Sequence, residues 1–183
     1  MVNASEPRTR ILDTAHLLFM LRGYELVGIN EIIQKSGVAK ATFYHNFPSK
    51  ENLCTEWLHL EKKSSEAANQ ALLEQSSDPS IRIRLKYEQL HQHLLKYNYR
   101  GCPFSNTKVM APDSESISEL IISYKSISKL FWQRVATDAN CDHRLGDALF
   151  LIYAGATTEA QNTASMEPLD VAILTSYALL KIK

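Results

Sequence analysis

The chain has 183 residues, of which 45% are hydrophobic, and its 20 Lys and Arg residues balance 20 Asp and Glu residues to a formal net charge of zero. A chain of this length holds one domain of ordinary size or two small ones and buries a real core, and its neutrality argues against an unstructured basic arm. Three widely spaced cysteines, no apolar run near the ~20 residues of a membrane helix and no signal peptide predict a cytoplasmic protein with reduced thiols.

The N-terminal part of the chain predicts three helices. The first is predicted over about residues 5–22 from an apolar stripe at 3.6-residue spacing, and Gly23 stops it. A second helix follows and ends at Gly37, because only glycine enters the left-handed backbone region without steric cost. A third apolar pattern covers residues 38–47, and Pro48 prevents its continuation. Two short helices joined by a glycine-containing turn are typical of a helix-turn-helix.

The third helix carries hydrogen-bond donors that suit DNA. Lys40, Thr42, Tyr44 and His45 have side chains that can reach into a major groove or bind a phosphate at its edge. For Thr42 and Tyr44 the alternative is packing within the fold. Short helix pairs around a glycine turn also occur in helical proteins that never touch DNA, so the spacing alone leaves the function open.

Four runs of residues in the N-terminal part carry a family resemblance. They are RILDTA at 10–15, LF at 18–19, RGY at 22–24 and GVAKATFYHNFPSKENL at 37–53. In this order and spacing, without a gap, they resemble the tetracycline-repressor (TetR) family of bacterial regulators. Beyond them the chain resembles the family in helical character and length, and the GCPF stretch at 101–104 resembles some of its subfamilies.

The resemblance implies a role for each donor of the third helix and its surroundings. Lys40 and Thr42 are expected at base edges, because a lysine can donate to guanine O6 or N7 and a threonine methyl can touch a thymine methyl. Tyr44, His45 and Lys50 are expected at phosphates. Lys50 lies at the start of the next helix, whose N–H groups and positive dipole end also suit a phosphate.

Gly28 departs from the family pattern, which usually has Ser or Thr there as helix cap and phosphate contact. Glycine still caps a helix at a cost of about a few tenths of a kcal/mol. The missing hydroxyl removes one expected phosphate contact, and we expect Asn30 to replace it.

Six further helices are predicted after Pro48, over about residues 49–75, 79–97, 104–110, 117–138, 142–162 and 168–182. The buried side of the fifth helix of the chain is predicted from Ile81, Leu85, Leu90, Leu94 and Tyr97. The prediction is an all-α fold of about nine helices. Residues 1–49 would form a helix-turn-helix DNA-binding domain, and residues 50–183 a helical ligand-binding and dimerisation domain.

The last two helices carry apolar residues on two sides, and helices of this kind must bury both. One side can face the helices' own domain, whereas a partner chain that completes a four-helix bundle would cover the other. We therefore predict a homodimer. The predicted interface residues are Leu145, Leu149, Ile152, Ala156, Ile173, Tyr177 and Leu180.

A ligand pocket among the middle helices is implied by the family resemblance. The candidate lining residues are Phe104, Met110, Tyr124, Phe131 and Trp132, with Cys102 near the mouth. The alternative for each of them is a place in the plain core. Aromatic and methionine side chains would suit a largely apolar small-molecule effector.

Metal, cofactor and enzyme motifs are not found in the sequence. His91 and His93 stand two positions apart and so point to different faces of a helix, and neither Cys102 nor Cys141 has a histidine at ligand spacing. There is no glycine-rich phosphate loop, nucleophile elbow or two-histidine zinc motif. We predict no metal site, no cofactor and no enzymatic activity.

Two functional hypotheses follow from these features. The first is a ligand-responsive transcriptional repressor, released by a small molecule from a pseudo-palindromic DNA operator on which a dimer holds two recognition helices about 34–36 Å apart. The alternative is a helical small-molecule-binding or adaptor protein that has lost DNA binding. The sequence does not separate a repressor from an activator, because both bind DNA in the same way.

Overall fold

The computed structural model describes residues 6–182, which form nine α-helices and no β-strand. The helices are α1 (Pro7–Arg22), α2 (Ile29–Ser36), α3 (Lys40–Asn46), α4 (Lys50–Gln75), α5 (Pro79–Lys96), α6 (Pro103–Met110), α7 (Glu115–Asp138), α8 (Arg144–Thr163) and α9 (Glu167–Leu179). The all-helical prediction is confirmed, and the predicted bounds lie within a few residues of those observed. The predicted start of the first helix, at residue 5, falls outside the described residues.

The first of two compact units contains the chain up to Lys62 together with Pro103–Ile121. Its core joins α1 to α2 and α3 and includes the fully buried Trp57 of α4. At the start of α4 the Ser49 hydroxyl accepts a hydrogen bond from the Asn52 N–H at 3.0 Å, as expected of an N-cap.

The second unit contains Lys63–Cys102 and Ile122–Lys183. Its core lies between α5, α8 and α9 and the part of α7 that belongs to this unit. Asp78 caps α5 by accepting from the Ser80 N–H at 2.8 Å, and Pro79 follows at the first helical position. Helix α8 is followed by its C-cap, Ala164, whose backbone is left-handed.

The predicted buried side of α5 was partly wrong. Leu90, Leu94 and Tyr97 are buried as predicted, but Ile81 and Leu85 are only half-buried. Ile83 and Tyr87 are buried instead, and they lie on the same side as Leu90 and Leu94. Two apolar stripes compete on this helix, and the packing of α8 and α9 against it decides which of them faces inward. The spacing of the apolar residues did not distinguish the two half-buried residues from the three buried ones.

The predicted division into residues 1–49 and 50–183 concerns functional domains and stays a prediction. The compact units follow other bounds, because α4 continues from the first unit into the second and α6 belongs to the first. Within the first unit, the Ser114 and Ser116 hydroxyls donate to Glu51 Oε1 at 2.5 and 3.0 Å, which ties the start of α4 to the segment before α7. These hydrogen bonds lower the pKa of the Glu51 carboxyl.

Cys54, Cys102 and Cys141 are free thiols. Cys54 is buried, and its burial raises the pKa of the thiol to about 12. Between residues 6 and 182, no helix is both long enough and apolar enough to cross a bilayer.

Candidate nucleic-acid interface

A three-helix core holds the predicted DNA-reading helix in place. Helix α1 packs against both α2 and α3. Ile11 and Phe19 of α1, Ile32 of α2, and Phe43 and Phe47 around α3 are all buried. The phenyl rings of Phe43 and Phe47 have centroids 6.3 Å apart. Burial of their side chains fixes the rotation of α3 about its axis, so its opposite face is turned to solvent.

The turn between α2 and α3 depends on Gly37. Its backbone is left-handed, with φ 64° and ψ 31°, and its N–H donates to the Gln34 carbonyl. Any other residue would strain this conformation. Val38 then enters the core, and the extended Ala39 precedes the first turn of α3. The glycine prediction from the sequence is confirmed here.

Helix α3 presents its predicted contact residues unequally. A helix turns by about 100° per residue, so Lys40 and Tyr44 lie on one flank of the exposed face and His45 lies near its centre. Lys40, Tyr44 and His45 are exposed, whereas Thr42, on the opposite flank, is half-buried. Ala41 is also exposed near the centre, and the sequence analysis did not propose it as a contact.

Ala41 contributes a small side chain to the exposed face of α3. A methyl side chain at the centre of an exposed face lets a helix approach a groove floor closely and can touch a thymine methyl. Its signal in the sequence was weak, because an alanine on a helix is compatible with any environment.

Lys50 is held in place before any ligand arrives. Its Nζ donates to the Glu25 carbonyl at 3.2 Å and lies 4.4 Å from the centroid of the Tyr24 ring. An ammonium group has three donors, so this hydrogen bond leaves capacity for a phosphate. Burial is the largest cause that raises the pKa of Tyr24 to about 12, and the neighbouring Cys54 and Glu51 raise it further, so the phenol ring beside Lys50 stays neutral.

Helix α2 begins after an N-cap residue, Gly28, that has no side chain to bond the helix. Gly28 is the N-cap, with an extended backbone and no side-chain hydrogen bond to the helix. Space around it is open, since nothing lies within 4 Å of where a Cβ would stand. Asn30, which was predicted to replace the missing hydroxyl, is exposed one residue inside the helix.

Other cations near α2 are already paired. Glu31 Oε1 lies 2.6 Å from Arg22 Nη1 and 3.0 Å from Lys35 Nζ. The hydrogen bond from Lys35 is the largest cause of the lowered pKa at Glu31. Glu31 is half-buried but Lys35 is exposed, so this ion pair contributes little to stability. Lys35 is therefore an exposed charge that is already paired with Glu31, and it does not belong to the exposed face of α3.

The predicted ligand-binding residues do not fall into a single unit. Phe104 and Met110 belong to the first unit, and Cys102, Tyr124, Phe131 and Trp132 belong to the second. Phe104, Phe131 and Trp132 are buried, whereas Met110 is exposed. Burial is the main cause of a raised pKa at Tyr124, and the neighbouring Cys102 thiol adds to it. The assignment of these residues to a pocket stays a prediction.

Sequence reasoning missed a buried lysine in the second unit. Lys86 of α5 is only 7% exposed, and its Nζ donates to Asn69 Oδ1 at 2.6 Å. The available signal was its position, since it falls three residues after Ile83 and four before Leu90 on the stripe that proves to be buried. A charged residue on an apolar stripe is the kind of exception that marks a site.

The predicted dimer interface needs correction. Leu149 and Leu180 are buried in the core of their own chain, so they offer no surface to a second one. The exposed apolar side chains on α8 and α9 are Leu151, Val171 and Leu174. Beside them lies a groove of about 430 Å³ lined by Ile152, Ala156, Glu159, Glu167, Pro168, Val171, Ala172 and Thr175.

The remaining predicted interface residues have mixed exposure. Leu145, Ile152, Ile173 and Tyr177 are half-buried, and Ala156 is buried but lines the groove. The Tyr177 hydroxyl donates to the Ser80 carbonyl at 3.2 Å, which ties α9 to the start of α5. These residues can support an interface whose exposed apolar side chains are Leu151, Val171 and Leu174.

The N-terminal part of this chain matches a known protein family. The family model "Bacterial regulatory proteins, tetR family" matches residues 11–56. The chain is 40% identical over 86 residues to the HTH-type transcriptional regulator YxaF of Bacillus subtilis (strain 168), over 46% of this chain and 45% of that protein. It is 34% identical over 104 residues to the HTH-type transcriptional regulator LmrA of the same organism, over 56% of this chain and 50% of that protein.

The chain thus spans about half the length of these curated relatives. Over its whole length it matches solved structures. The crystal structure of SCO4454, a TetR-family transcriptional regulator from Streptomyces coelicolor, aligns with a TM-score of 0.87 at 22% identity, over 97% of this chain and 95% of that one. At this identity the likeness shows a shared fold.

Proposed function

We propose that the chain is a sequence-specific DNA-binding transcriptional regulator of the TetR family of bacterial regulatory proteins, whose family model matches residues 11–56. The observation that carries the proposal is the exposed face of α3, where Lys40, Tyr44 and His45 stand away from a core that fixes the helix. Exposed donors on this face favour DNA binding over the adaptor alternative. Such a protein acts by binding rather than by catalysis, and it acts in the cytoplasm, where the chromosome lies.

The proposed mechanism requires two copies of the chain. A homodimer would place one α3 in each of two successive major grooves and so read a pseudo-palindromic operator. A small-molecule effector would favour a state in which the two helices cannot span both half-sites, so that ligand binding and DNA binding oppose each other. In this reading the protein is a repressor that its effector releases.

A mobility shift with the DNA upstream of the chain's own gene tests the proposal. The expected result is a band that survives an excess of unrelated competitor DNA at moderate salt, with a footprint of two half-sites one helical turn apart. Binding that disappears with the competitor would mean that the affinity is only non-specific, and the proposal would fail.

Lys40→Ala and Tyr44→Ala are expected to weaken operator binding in different ways. Loss of Lys40 removes a donor to a base edge, so it should cost about 1–3 kcal/mol and relax the preference at one operator position. Loss of Tyr44 removes a phosphate contact, so it should weaken binding to all sequences alike. Affinities measured by fluorescence anisotropy across a set of single-base operator variants separate the two patterns.

The matched control for Lys40→Ala is Lys35→Ala. It removes an equally charged side chain from the same domain, but one that is already paired with Glu31. We expect little change in operator affinity and none in base preference. The same loss on every sequence for Lys40→Ala and Tyr44→Ala would contradict the division of roles.

Gly28→Ser is expected to strengthen both the fold and DNA binding. A serine at this N-cap can accept from the first N–H groups of α2, which adds about a few tenths of a kcal/mol to the free energy of unfolding, and nothing in the chain obstructs its side chain. Its hydroxyl can also reach a phosphate, so affinity should rise on all sequences. Because the hydroxyl is neutral, the salt dependence should not change.

Gly28→Ala serves as the control, since it adds a Cβ without a hydroxyl. It should lower stability and leave DNA affinity no higher than in the wild type. If Gly28→Ser and Gly28→Ala have the same operator affinity, the position makes no phosphate contact.

A further inference from the structure

The side chain of Lys86 extends into the aromatic interior of the second unit, and its ammonium group lies beside two rings. Its Nζ lies 5.3 Å from the centroid of the Phe131 ring on α7 and 5.8 Å from that of Tyr153 on α8. Its hydrogen-bond partner, Asn69 Oδ1 on α4, is neutral. The ammonium group is therefore enclosed by three helices, none of which supplies a negative charge to it.

The charge of Lys86 has no counterion among the residues that the structure describes. Burial alone lowers the pKa of Lys86 to about 8, and no carboxylate in the described part of the chain contributes to it. At neutral pH the side chain is still mostly a cation. Removing an ammonium from water is costly unless an opposite charge is close, and one amide oxygen and two ring faces offset only part of this cost.

Arg82, the other buried cation of α5, has a counterion. It is also almost fully buried, but it pairs with Asp138 and donates to the carbonyls of Ser76 and Leu73. Of the two buried cations on α5, Arg82 is paired with a carboxylate, whereas Lys86, one turn away, is hydrogen-bonded to a neutral amide.

Two N–H donors in the same part of the unit have no acceptor among residues 6–182. Trp132 Nε1 and Asn69 Nδ2 are buried without a hydrogen-bond partner. The Trp132 ring packs against Tyr153 and Phe131, with centroids 5.3 Å apart in both cases, so it belongs to the aromatic cluster around Lys86. Buried N–H groups without acceptors are rare in folded proteins. Each of them would gain from an incoming oxygen atom.

The rings around these donors restrict the shape of what can bind. Tyr87, Phe131, Trp132 and Tyr153 form a continuous set, with Tyr87 lying 5.9 Å from Trp132 and 5.5 Å from Tyr153 between centroids. Aromatic side chains can stack on flat ring systems. The site therefore combines a cation and unpaired N–H donors with aromatic faces.

We propose that the Lys86 cluster, made of Lys86, Asn69, Phe131, Trp132 and Tyr153, binds a small planar organic anion whose carboxylate or phenolate oxygen pairs with the Lys86 ammonium. Asn69 Nδ2 and Trp132 Nε1 supply additional donors to the anionic group, and the rings hold its flat body. The role of this anion as the effector rests on the proposed regulatory function. The expected effector thus changes from largely apolar to amphipathic.

Matched pairs of an acid and its amide test this assignment by isothermal titration calorimetry. The probes are benzoate with benzamide, 2-naphthoate with 2-naphthamide, and 2-naphthol as the phenolic member. At least one acid is expected to bind the wild type about tenfold or more tightly than its amide, because a hydrogen bond to a charged group is much stronger than a neutral one. If no acid binds more tightly than its amide, the proposal is overturned.

The variant Lys86→Met tests whether the preference comes from this side chain. Methionine has a similar length and no charge, so we expect the preference for the acid to disappear. Removing an unpaired buried charge should also raise the melting temperature of the ligand-free protein, which would show that the variant folds. Lys96→Met, on an exposed position of the same helix, should retain the preference. An acid preference that persists in Lys86→Met would overturn the proposal.

The pH dependence gives a second measurement. Lys86 is charged below pH 8 and neutral above it, so the affinity for 2-naphthoate should fall about tenfold between pH 7 and pH 9. The hydroxyl groups of Tyr87, Tyr124 and Tyr153 stay neutral in this range, because burial raises the pKa of each. Cys102 is close to Tyr124 and Tyr153 and is retained in Lys86→Met. If the affinity for 2-naphthoate still falls between pH 7 and pH 9 in that variant, a group other than Lys86 causes the fall.

These measurements are independent of DNA. A failure of the acid preference with intact operator binding would overturn the inference and leave the regulatory proposal standing. Acid binding through Lys86 in a protein that binds no operator would support the inference and overturn the regulatory proposal. If both hold, adding the acid should weaken operator binding in the wild type and not in Lys86→Met.

Discussion

Replacing Leu151 and Leu174 by Glu is expected to leave the chain monomeric and to weaken operator binding by at least about 100-fold, because the avidity of two linked half-site contacts is lost. These side chains are 67% and 69% exposed in the single chain, and Val171 beside them is 57% exposed. Burying a leucine contributes about 1.5–3 kcal/mol, and a symmetric dimer buries each of them twice. A buried, unpaired glutamate would instead oppose association.

Sedimentation and light scattering at micromolar concentration measure the oligomeric state, and anisotropy measures operator affinity. Leu130→Glu is the matched control, since Leu130 is 62% exposed on α7 and outside the proposed interface. It should remain dimeric and bind normally. A wild type that is itself monomeric, or a double variant that still dimerises, would rule out this face as the interface.

Gly146→Ala is expected to lower the free energy of unfolding by about 3 kcal/mol, at the upper end of ordinary overpacking costs. A Cβ at this position of α8 would stand 2.3 Å from Gln133 Cα and 2.7 Å from the Trp132 carbonyl carbon on α7. Both are backbone atoms, so no side chain can move aside. The two helices would have to separate, although the hydrogen bond from Gln133 Nε2 to Asp147 at 2.7 Å holds them together.

Thermal unfolding followed by circular dichroism should show a melting temperature lower by roughly 6–12 °C for a chain of this size. Gly155→Ala, on the same helix, is the control, because nothing in the chain lies within 4 Å of its added Cβ. It should raise stability by about 0.5–1 kcal/mol, since alanine favours a helix interior over glycine. Equal melting temperatures for the two variants would contradict the close packing of α7 and α8.

Much of the N-terminal part could be predicted from local rules. Gly37 ends α2 and Pro48 follows the end of α3 because each residue restricts its own backbone. Phe43 and Phe47 lie in the apolar pattern over residues 38–47 and are buried, and their burial leaves Lys40, Tyr44 and His45 exposed. Thr42 was harder to place, because it stands at the edge between the buried and exposed faces.

Helix positions and the helix-turn-helix were determined by the sequence itself, because glycine, proline and apolar spacing act within a few residues of where they stand. Only the tertiary structure decided which apolar side of α8 faces inward, so that Leu149 is core and Leu151 is surface. It also decided that Lys86 is enclosed by rings from α7 and α8 rather than extended into water. A periodic pattern defines a face but not its partner, since the partner comes from a distant part of the chain or from a second chain.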